Sequence, residues 1–284
     1  MTKKNMRYIE LEEMKKLQCE VLQVAHDFCQ EHKIKYSLAC GTLLGAIRHN
    51  GYIPWDDDID IYMPREDYDR FIQTFPETYK EHYKLISFER SKRWARAFAN
   101  LYDNRTVWEE AKNSVEEQIG INIDIFPVDN VPDDDKEWKS FDRRRRLLHY
   151  LVTAKYTSFR WKNRSLGKNL VIALMKFILL PFSASRNAKW MDSFARKYSH
   201  QKTNRVFESV CGIMQKKPFL QEDFDETIPH VFEEYEFNIM KGYHNYLTCA
   251  FGDYMQLPPE KDRHPHHYYT AYWKDQEECS KIPL

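Results

Sequence analysis

Four aspartates fall within five positions at the end of an otherwise apolar stretch. The stretch covers residues 41 to 62 and reads GTLLGAIRHNGYIPWDDDIDIY. Its first half has the spacing of a short apolar helix that ends near Gly51, and the residues from Asp58 onward return to strand formers. Carboxylates held this closely repel one another unless one is protonated or a cation lies between them. The stretch therefore predicts a helix, a turn and a strand that present acidic groups to a cation.

Within the strand, Asp58 and Asp60 alternate with isoleucines. Successive strand residues point to opposite faces, so we expect the two carboxylates to share a face with their Cα atoms ~6.6 Å apart. Ligands that offer only oxygen favour a hard cation, Mg²⁺ or Mn²⁺. The pair is therefore a candidate metal site.

A calcium-binding EF-hand is the obvious competitor, because aspartates also occupy the first, third and fifth positions of that loop. Here Ile61 stands where the loop needs glycine, and Asp67 stands where it needs a bidentate glutamate. The EF-hand is therefore excluded.

A second stretch, residues 120 to 129, has the same alternation and reads GINIDIFPVD. Its isoleucines form one face, and Asn122 and Asp124 form the other. Asp124 is therefore a candidate third carboxylate from another strand. Aspartates on adjacent strands can hold one or two divalent ions, an arrangement that serves phosphoryl transfer.

Gly41 and Thr42 open the helix that precedes the acidic strand. A helix N-terminus offers unpaired N–H groups to phosphate oxygens, glycine lets the backbone approach, and the threonine hydroxyl adds a donor. Arg48, with His49 beside it, is a further source of positive charge. We therefore predict that a phosphorylated substrate binds here.

The wider pattern predicts an α+β fold in which helices flank a mixed β-sheet. Residues 1–130 form the predicted catalytic core, and residues 131–284 form a mainly helical part packed on that core as one unit. The predicted helices are 9–33, 41–50 and 65–75, and the predicted strands are 34–40, 58–63, 94–102 and 119–126.

Two later stretches each allow two interpretations. Between residues 136 and 176 there are 12 Lys or Arg against 2 acidic residues, with Arg143–Arg146 among them, which indicates either a solvated face or a docking surface for polyanions or anionic lipid. Residues 166–182 are apolar but interrupted by Lys168 and Lys176, which indicates either a core helix or a helix lying on a membrane.

The composition bears on the partners and the cellular compartment of the protein. Lys plus Arg and Asp plus Glu are equal at 43 each, so overall charge indicates no particular partner. Six cysteines lie apart with no CxxC pair, and the start has no signal-peptide pattern. We expect free thiols and a cytoplasmic location.

The order strand, Gly-Thr, helix and acidic strand resembles the nucleotidyltransferase fold. More narrowly, GTLLGAIRHNGYIPWDDDIDIYM is similar to the hallmark of the LicD family of phosphocholine transferases, which fukutin-related enzymes share. The resemblance extends to NIDIFPVD at 122–129 and to FGDYMQLPPEKDRHPHH at 251–267.

This resemblance implies metal-dependent transfer of phosphocholine from CDP-choline to a hydroxyl of a cell-surface glycan, of the teichoic acid or lipopolysaccharide type. It implies Asp58 and Asp60 as the metal-binding pair and Asp124 as the third acid, acting as ligand or as general base. The residues implied or suggested to contact the donor phosphates are Arg96, Arg263, His266 and His267. A choline group also needs an aromatic face, for which Trp55, Trp94, Trp108 and the pair Tyr268 and Tyr269 are available.

Other functions stay open at this point. Ribitol phosphate or glycerol phosphate from a CDP carrier would use the same metal chemistry with a polar pocket. A nucleotidyltransferase would share the Gly-Thr turn and the carboxylates but would release pyrophosphate from a nucleoside triphosphate. A non-catalytic descendant that only binds metal or glycan is a further alternative, against which the intact Asp58, Asp60 and Asp124 argue. We expect no nucleic-acid partner, a lipid-linked glycan acceptor, and peripheral contact with the inner face of the membrane.

Overall fold

The computed structural model describes residues 6–110, 118–154, 165–212, 217–264 and 269–274. In chain order its elements are α1 (Leu11–His32), β1 (Ser37–Leu38), α2 (Cys40–His49), β2 (Asp60–Pro64), α3 (Arg65–Thr74), β3 (Tyr83–Ile86), β4 (Ala99–Asp103), β5 (Thr106–Glu110), β6 (Asn122–Val131), α4 (Asp135–Ala154), α5 (Leu166–Leu179), α6 (Ala184–Ala195), β7 (Arg205–Phe207), β8 (Phe219–Leu220), α7 (Glu222–Asp225), β9 (Thr227–Phe232), β10 (Tyr235–Met240), α8 (Tyr243–Phe251) and β11 (Tyr269–Trp273).

One mixed sheet organises the fold. Its strands run in the order β1-β2-β6-β4-β3, and β7 and β8 continue it beside the second half of β6. β2 and β6 are parallel, whereas the other pairs are antiparallel. Two small antiparallel sheets, β9 with β10 and β5 with β11, complete the strands. The predicted α+β class is confirmed.

The core sits against the sheet, where isoleucines of β2 and β6 are fully buried. It includes Ile61 and Ile125 from the first half of the chain and Phe237 and Tyr246 from the second half, so elements on both sides of residue 130 share it. The alternation in the sequence has this physical basis, because every second side chain of the paired strands points into the core.

The bounds of all four predicted strands needed correction. The strand predicted at 94–102 is Ala99–Asp103, and the strand predicted at 119–126 is Asn122–Val131. The strand predicted at 34–40 is only Ser37–Leu38, and the strand predicted from Asp58 begins at Asp60. Asp58 therefore lies in the segment that leads into β2, and the prediction that it shares a strand face with Asp60 is wrong. Pro54 and the crowded carboxylates of this segment disfavour regular pairing there.

A network of buried ion pairs joins the sheet to the helices around it. The Arg65 guanidinium at the start of α3 donates to both carboxylate oxygens of Asp129 on β6, at 2.6 and 2.7 Å, and to Asp192 on α6 at 2.8 Å. Arg196 donates to Asp192 and, through two nitrogens, to Asp69. Asp129, the last residue of the NIDIFPVD stretch, therefore has a structural role.

The four arginines at 143–146 do not act alike. Arg145 is buried, pairs with Asp142, and donates to the carbonyl oxygens of Cys211 and Gly212 at 3.2 and 3.4 Å. The other three are exposed. The interpretation of Arg143–Arg146 as part of one solvated face or docking surface is therefore wrong for Arg145.

The apolar stretch at 166–182 forms α5, and the interpretation of α5 as a core helix is wrong, because only Asn169 and Leu179 of this helix are buried. Within the described part of the chain, no single helix has the length and apolar content needed to cross a bilayer. Two consecutive helical segments, Leu166–Leu179 and Ala184–Tyr198, have that length and apolar content when they are taken together. The chain bends by 99° between them.

Candidate functional site

Three polar side chains form one row across the centre of the sheet. Asp60 on β2 lies opposite Asp124 on β6 in parallel register, and Asp124 lies opposite Asn100 on β4 in antiparallel register. In-register residues of neighbouring strands, which lie about 4.8 Å apart, present their side chains on the same face. The sequence predicted that Asp60 and Asp124 would meet, and the structure brings them together.

Asp58 joins this row from the segment ahead of β2. Ligand atoms of Asp56, Asp57 and Asp58 lie within 4.8 Å of one another. Burial, and then the neighbouring charges of Asp58 and Asp124, raise the pKa of Asp60 well above the ordinary value for aspartate. We refer to Asp58, Asp60 and Asp124 as the acidic centre. Their mutual repulsion is what a bound cation would relieve.

Gly41 and Thr42 border the acidic centre at the start of α2. A Cβ atom added at Gly41 would lie 2.6 Å from Oδ2 of Asp56, so only glycine lets that carboxylate approach the helix. The partial positive charge of the helix N-terminus favours a carboxylate there. The Thr42 hydroxyl accepts a hydrogen bond from the Asp60 N–H at 2.9 Å, which fixes the beginning of β2. In the structure both residues hold acidic groups in place.

Arg48 and Arg263 lie together at the other end of α2. Arg48 donates to the carbonyl oxygen of Tyr254 at 2.8 Å, and burial together with the charge of Arg263 lowers the pKa of Arg48. The Arg263 guanidinium lies 5.6 Å from the centre of the Trp55 ring, next in sequence to Asp56. His266 and His267, predicted with Arg263, lie outside the described residues.

Arg96 lies beside two aromatic rings and near Cys211. Its guanidinium lies 5.3 Å from the Trp94 ring and 5.6 Å from the Phe98 ring. Burial of the Cys211 thiol and nearby negative charge, including that of Asp124 and Asp60, raise the pKa of Cys211, and Arg96 opposes this shift. Arg96 and the two in-register aspartates therefore all lie near Cys211.

Three further residues, which were not predicted from the sequence, lie at this site or beside it. The Asn100 amide donates to Oδ1 of Asp124, while Oδ1 of Asn100 is buried without a hydrogen-bond partner in the described structure. Cys40 has φ of +47°. Its Sγ atom forms hydrogen bonds with the Tyr62 hydroxyl at 3.3 Å and with the Asp60 carboxyl. Glu208 is buried and accepts from the backbone N–H groups of Cys211 and Gly212. None of the three is marked by alternation or spacing in the sequence.

Comparison with known proteins places this arrangement in a family. Residues 33–159 match the family described as LicD/FKTN/FKRP, nucleotidyltransferase domain. The lipopolysaccharide cholinephosphotransferase LicD of Haemophilus influenzae is 35% identical over 271 residues, which cover 94% of this chain and 99% of that protein. An uncharacterized protein of Rickettsia typhi is 39% identical over 66 residues, 23% of this chain and 21% of that protein.

The family match covers α2, β2, β4 and β6, the elements that carry the acidic centre and Asn100. The similarity to the Haemophilus protein extends beyond them over nearly the full length of both chains. The resemblance stated from the sequence is therefore confirmed, and the chain belongs to the LicD family.

Proposed function

We propose that the protein transfers phosphocholine from CDP-choline to a hydroxyl group of a cell-surface glycan of the lipopolysaccharide type, in a cation-dependent reaction in the cytoplasm. The in-register meeting of Asp60 with Asp124, with Asp58 beside them, carries this proposal. The cargo and acceptor come from the full-length similarity to a lipopolysaccharide cholinephosphotransferase. A teichoic acid acceptor would present the same hydroxyl chemistry.

The side chains at the site fit a hard divalent cation. The acidic centre offers carboxylate oxygens, with the amide oxygen of Asn100, unpaired among the described residues, on the same row, and burial together with the charges of Asp58 and Asp124 raises the pKa of Asp60. Asp58, Asp60 and Asp124 would hold Mg²⁺ or Mn²⁺. When bound, that ion would neutralise charge on the donor diphosphate as CMP leaves.

The remaining steps involve the chain and its substrates. The acceptor hydroxyl oxygen attacks the β-phosphorus and its proton is released to solvent, the bond from this phosphorus to the bridging oxygen breaks, and CMP departs with that oxygen. Arg96 and Arg263 are the proposed contacts for the diphosphate, with Gly41 and Thr42 positioning the acids beside it. Because Asn100 donates a hydrogen bond to Asp124, it stabilises the ionised carboxylate, which favours the ligand role of Asp124 over a proton-accepting role.

The aromatic residues near the site divide into two groups. Trp94 is buried and its indole N–H donates to the Phe98 carbonyl at 2.8 Å, so its ring is not accessible to the choline group. Trp108 and Tyr269 stack at 4.0 Å and are both partly exposed. Burial and then the charge of Asp57 raise the pKa of Tyr269 to about 12, which indicates that this pair lies near the acidic segment. We propose the pair as the face that binds the choline ammonium group.

Binding of alternative donors tests the proposed cargo. With Mg²⁺ present, we expect CDP-choline to bind about tenfold more tightly than CDP-ribitol or CDP-glycerol in calorimetric titrations, because a quaternary ammonium group gains from an aromatic face. Trp108→Leu should remove this preference, whereas Trp138→Leu, in a separate hydrophobic cluster with Phe141 and Tyr198, should keep it. Equal or tighter binding of CDP-ribitol would contradict the choline assignment.

Product analysis separates the proposal from a nucleotidyltransferase, the activity after which the matching domain is named. The proposed reaction consumes CDP-choline and releases CMP. Release of pyrophosphate from a nucleoside triphosphate, with no CMP formed from CDP-choline, would favour the nucleotidyltransferase.

The contact between Asn100 and Asp124 leads to a separate prediction. Asn100→Ala should weaken Mn²⁺ binding and slow transfer by about 10- to 100-fold, because Asp124 loses the donor that orients it. Electron paramagnetic resonance titration of free Mn²⁺ gives the affinity. Asn130→Ala removes another asparagine amide contact, to the Gln201 carbonyl away from the site, and should change neither quantity. Equal effects of the two variants would show that Asn100 acts through stability alone.

A further inference from the structure

Helix α5 presents a wide apolar face to solvent. Leu166 and Phe177 are each 75% exposed and Leu170 is 72% exposed. At 100° per residue, the exposed apolar side chains of α5 lie within an arc of roughly 140°. These side chains are those of Leu166, Leu170, Val171, Leu174, Phe177 and Ile178. Leu179 and Asn169, the buried residues, lie outside that arc.

Such a face is unusual on a helix of a folded protein. Amphipathic helices place their apolar stripe against the core, whereas α5 turns its stripe outward over 14 residues, about 21 Å of helix. Large contiguous apolar patches on a protein surface mark sites of interaction with a membrane or another macromolecule. Within the described ranges, no element covers this stripe.

The surface continues onto α4, against which α5 packs. Leu147 is 68% and Tyr150 is 71% exposed. Together with Arg143 they have the spacing i, i+4 and i+7, which places them on one ridge of the helix. Arg144 and Arg146 flank the ridge and are exposed. We call the exposed residues of α4 from 143 to 150 and the apolar face of α5 the α4–α5 surface.

Charge distinguishes among the occupants that this surface could have. On α4 and α5 the exposed basic residues in the described part of the chain are Arg143, Arg144, Arg146 and Lys168, and the sequence from 143 to 191 contains no Asp or Glu. A second copy docked through the same surface would bring like charges together, which disfavours association. A bilayer with anionic headgroups matches both features, because the apolar face enters the acyl boundary while the basic residues meet the headgroups.

We infer that the α4–α5 surface docks the protein on anionic lipid bilayers. Arg145 ties α4 to the carbonyl oxygens of Cys211 and Gly212, next to the acidic centre. Docking through α4 and α5 therefore fixes the acidic centre relative to the lipid surface. Lipid binding itself needs neither the donor nor the acceptor of the proposed reaction.

Co-sedimentation of the full chain with vesicles tests the apolar half of this inference. The parent should bind vesicles of phosphatidylcholine mixed with phosphatidylglycerol and should bind vesicles of phosphatidylcholine alone much more weakly. Leu170→Gln combined with Leu174→Gln should lower the partition coefficient by about tenfold or more. Leu220→Gln combined with Val231→Gln changes two exposed apolar residues on other elements and should leave it unchanged.

The basic half is tested with the same vesicles. Arg143→Gln combined with Arg144→Gln should lower binding to the anionic vesicles by about tenfold, and added salt should reduce the difference from the parent. Lys16→Gln combined with Lys92→Gln, on exposed positions elsewhere, is the matched control. None of these variants changes the acidic centre, so each should transfer phosphocholine to a soluble acceptor at the parental rate.

Three outcomes would overturn the inference. One is failure of the parent to sediment with anionic vesicles, and another is parental binding by the Leu170→Gln and Leu174→Gln variant. The third is a parental dimer in analytical ultracentrifugation that this variant dissociates, without vesicle binding, which would assign the surface to a second copy. Loss of transfer with vesicle binding retained would instead count against the proposed function alone.

Discussion

Asp60→Asn is expected to lower the rate of phosphocholine transfer by about 10³-fold, because it removes a charged oxygen from the centre that would hold the cation. The substitution keeps the size of the side chain and its place opposite Asp124 at the start of β2. Turnover of CDP-choline, followed by release of CMP at saturating Mg²⁺, measures the effect. Asp124→Asn should behave in the same way.

The same variant should not be less stable than the parent. The pKa of Asp60 is raised in the folded protein, so its contribution to stability is present at low pH and is lost as the pH rises through the folded pKa. Asparagine carries no charge at any pH, so without divalent ions it removes the cost of ionising a buried carboxyl beside other acids. We therefore expect Asp60→Asn to melt at the parental temperature or above it.

Two outcomes would contradict the role given to Asp60. Near-parental turnover of Asp60→Asn would show that the carboxylate takes no part in transfer. A large drop in melting temperature would show that the lost activity reflects unfolding. Glu66→Gln, a surface change a few residues along the chain on α3, serves as the matched control and should alter neither quantity.

The meeting of Asp60 and Asp124 could be predicted because both lie in strands with a simple alternation. Buried isoleucines fix which face of β2 and β6 is the core, and the aspartates then have only the other face available. The prediction that Asp58 lies in the strand was wrong because the alternation of acidic and apolar residues in the sequence extends beyond the residues that pair with β6. A pattern of period two shows which residues can share a face, but the bounds of a strand depend on its hydrogen-bonded neighbour.

Other parts of the site depend on long-range contacts that leave no local pattern. Both faces of β4 are buried, so Asn100 does not stand out by alternation, and its partner is 24 residues away. Arg145 has the same type of neighbours as Arg144 in sequence, yet it is buried and Arg144 is exposed. The helical phase decides this difference, and the phase depends on how α4 packs.

Arg65→Met is expected to destabilise the fold by about 3 kcal/mol or more, because it leaves the buried carboxylate of Asp129 without its paired cation. Arg65 is 7% exposed, and Asp129, which it contacts through two nitrogens, is fully buried. Burial lowers the pKa of Arg65, but the charge of Asp129 outweighs this and raises it, so the guanidinium stays charged. Burial also raises the pKa of Asp129, and the charge of Arg65 opposes that shift, so Asp129 depends on Arg65 to stay ionised. Urea unfolding followed by tryptophan fluorescence measures the change.

Arg70→Met on the same helix is the matched control. Arg70 pairs with Asp67 at 3.1 Å, but its side chain is 52% exposed, so its loss should cost at most about 1 kcal/mol. In a double-mutant cycle, Arg65→Met and Asp129→Asn should together cost less than the sum of their separate effects, since each alone leaves the other group uncompensated. Additive effects, or a cost of Arg65→Met no larger than that of Arg70→Met, would show that this network does not hold α3 and α6 on the sheet. The acidic centre lies on β2 directly before α3, so such an outcome would also require another explanation for how β2 is kept in register with β6.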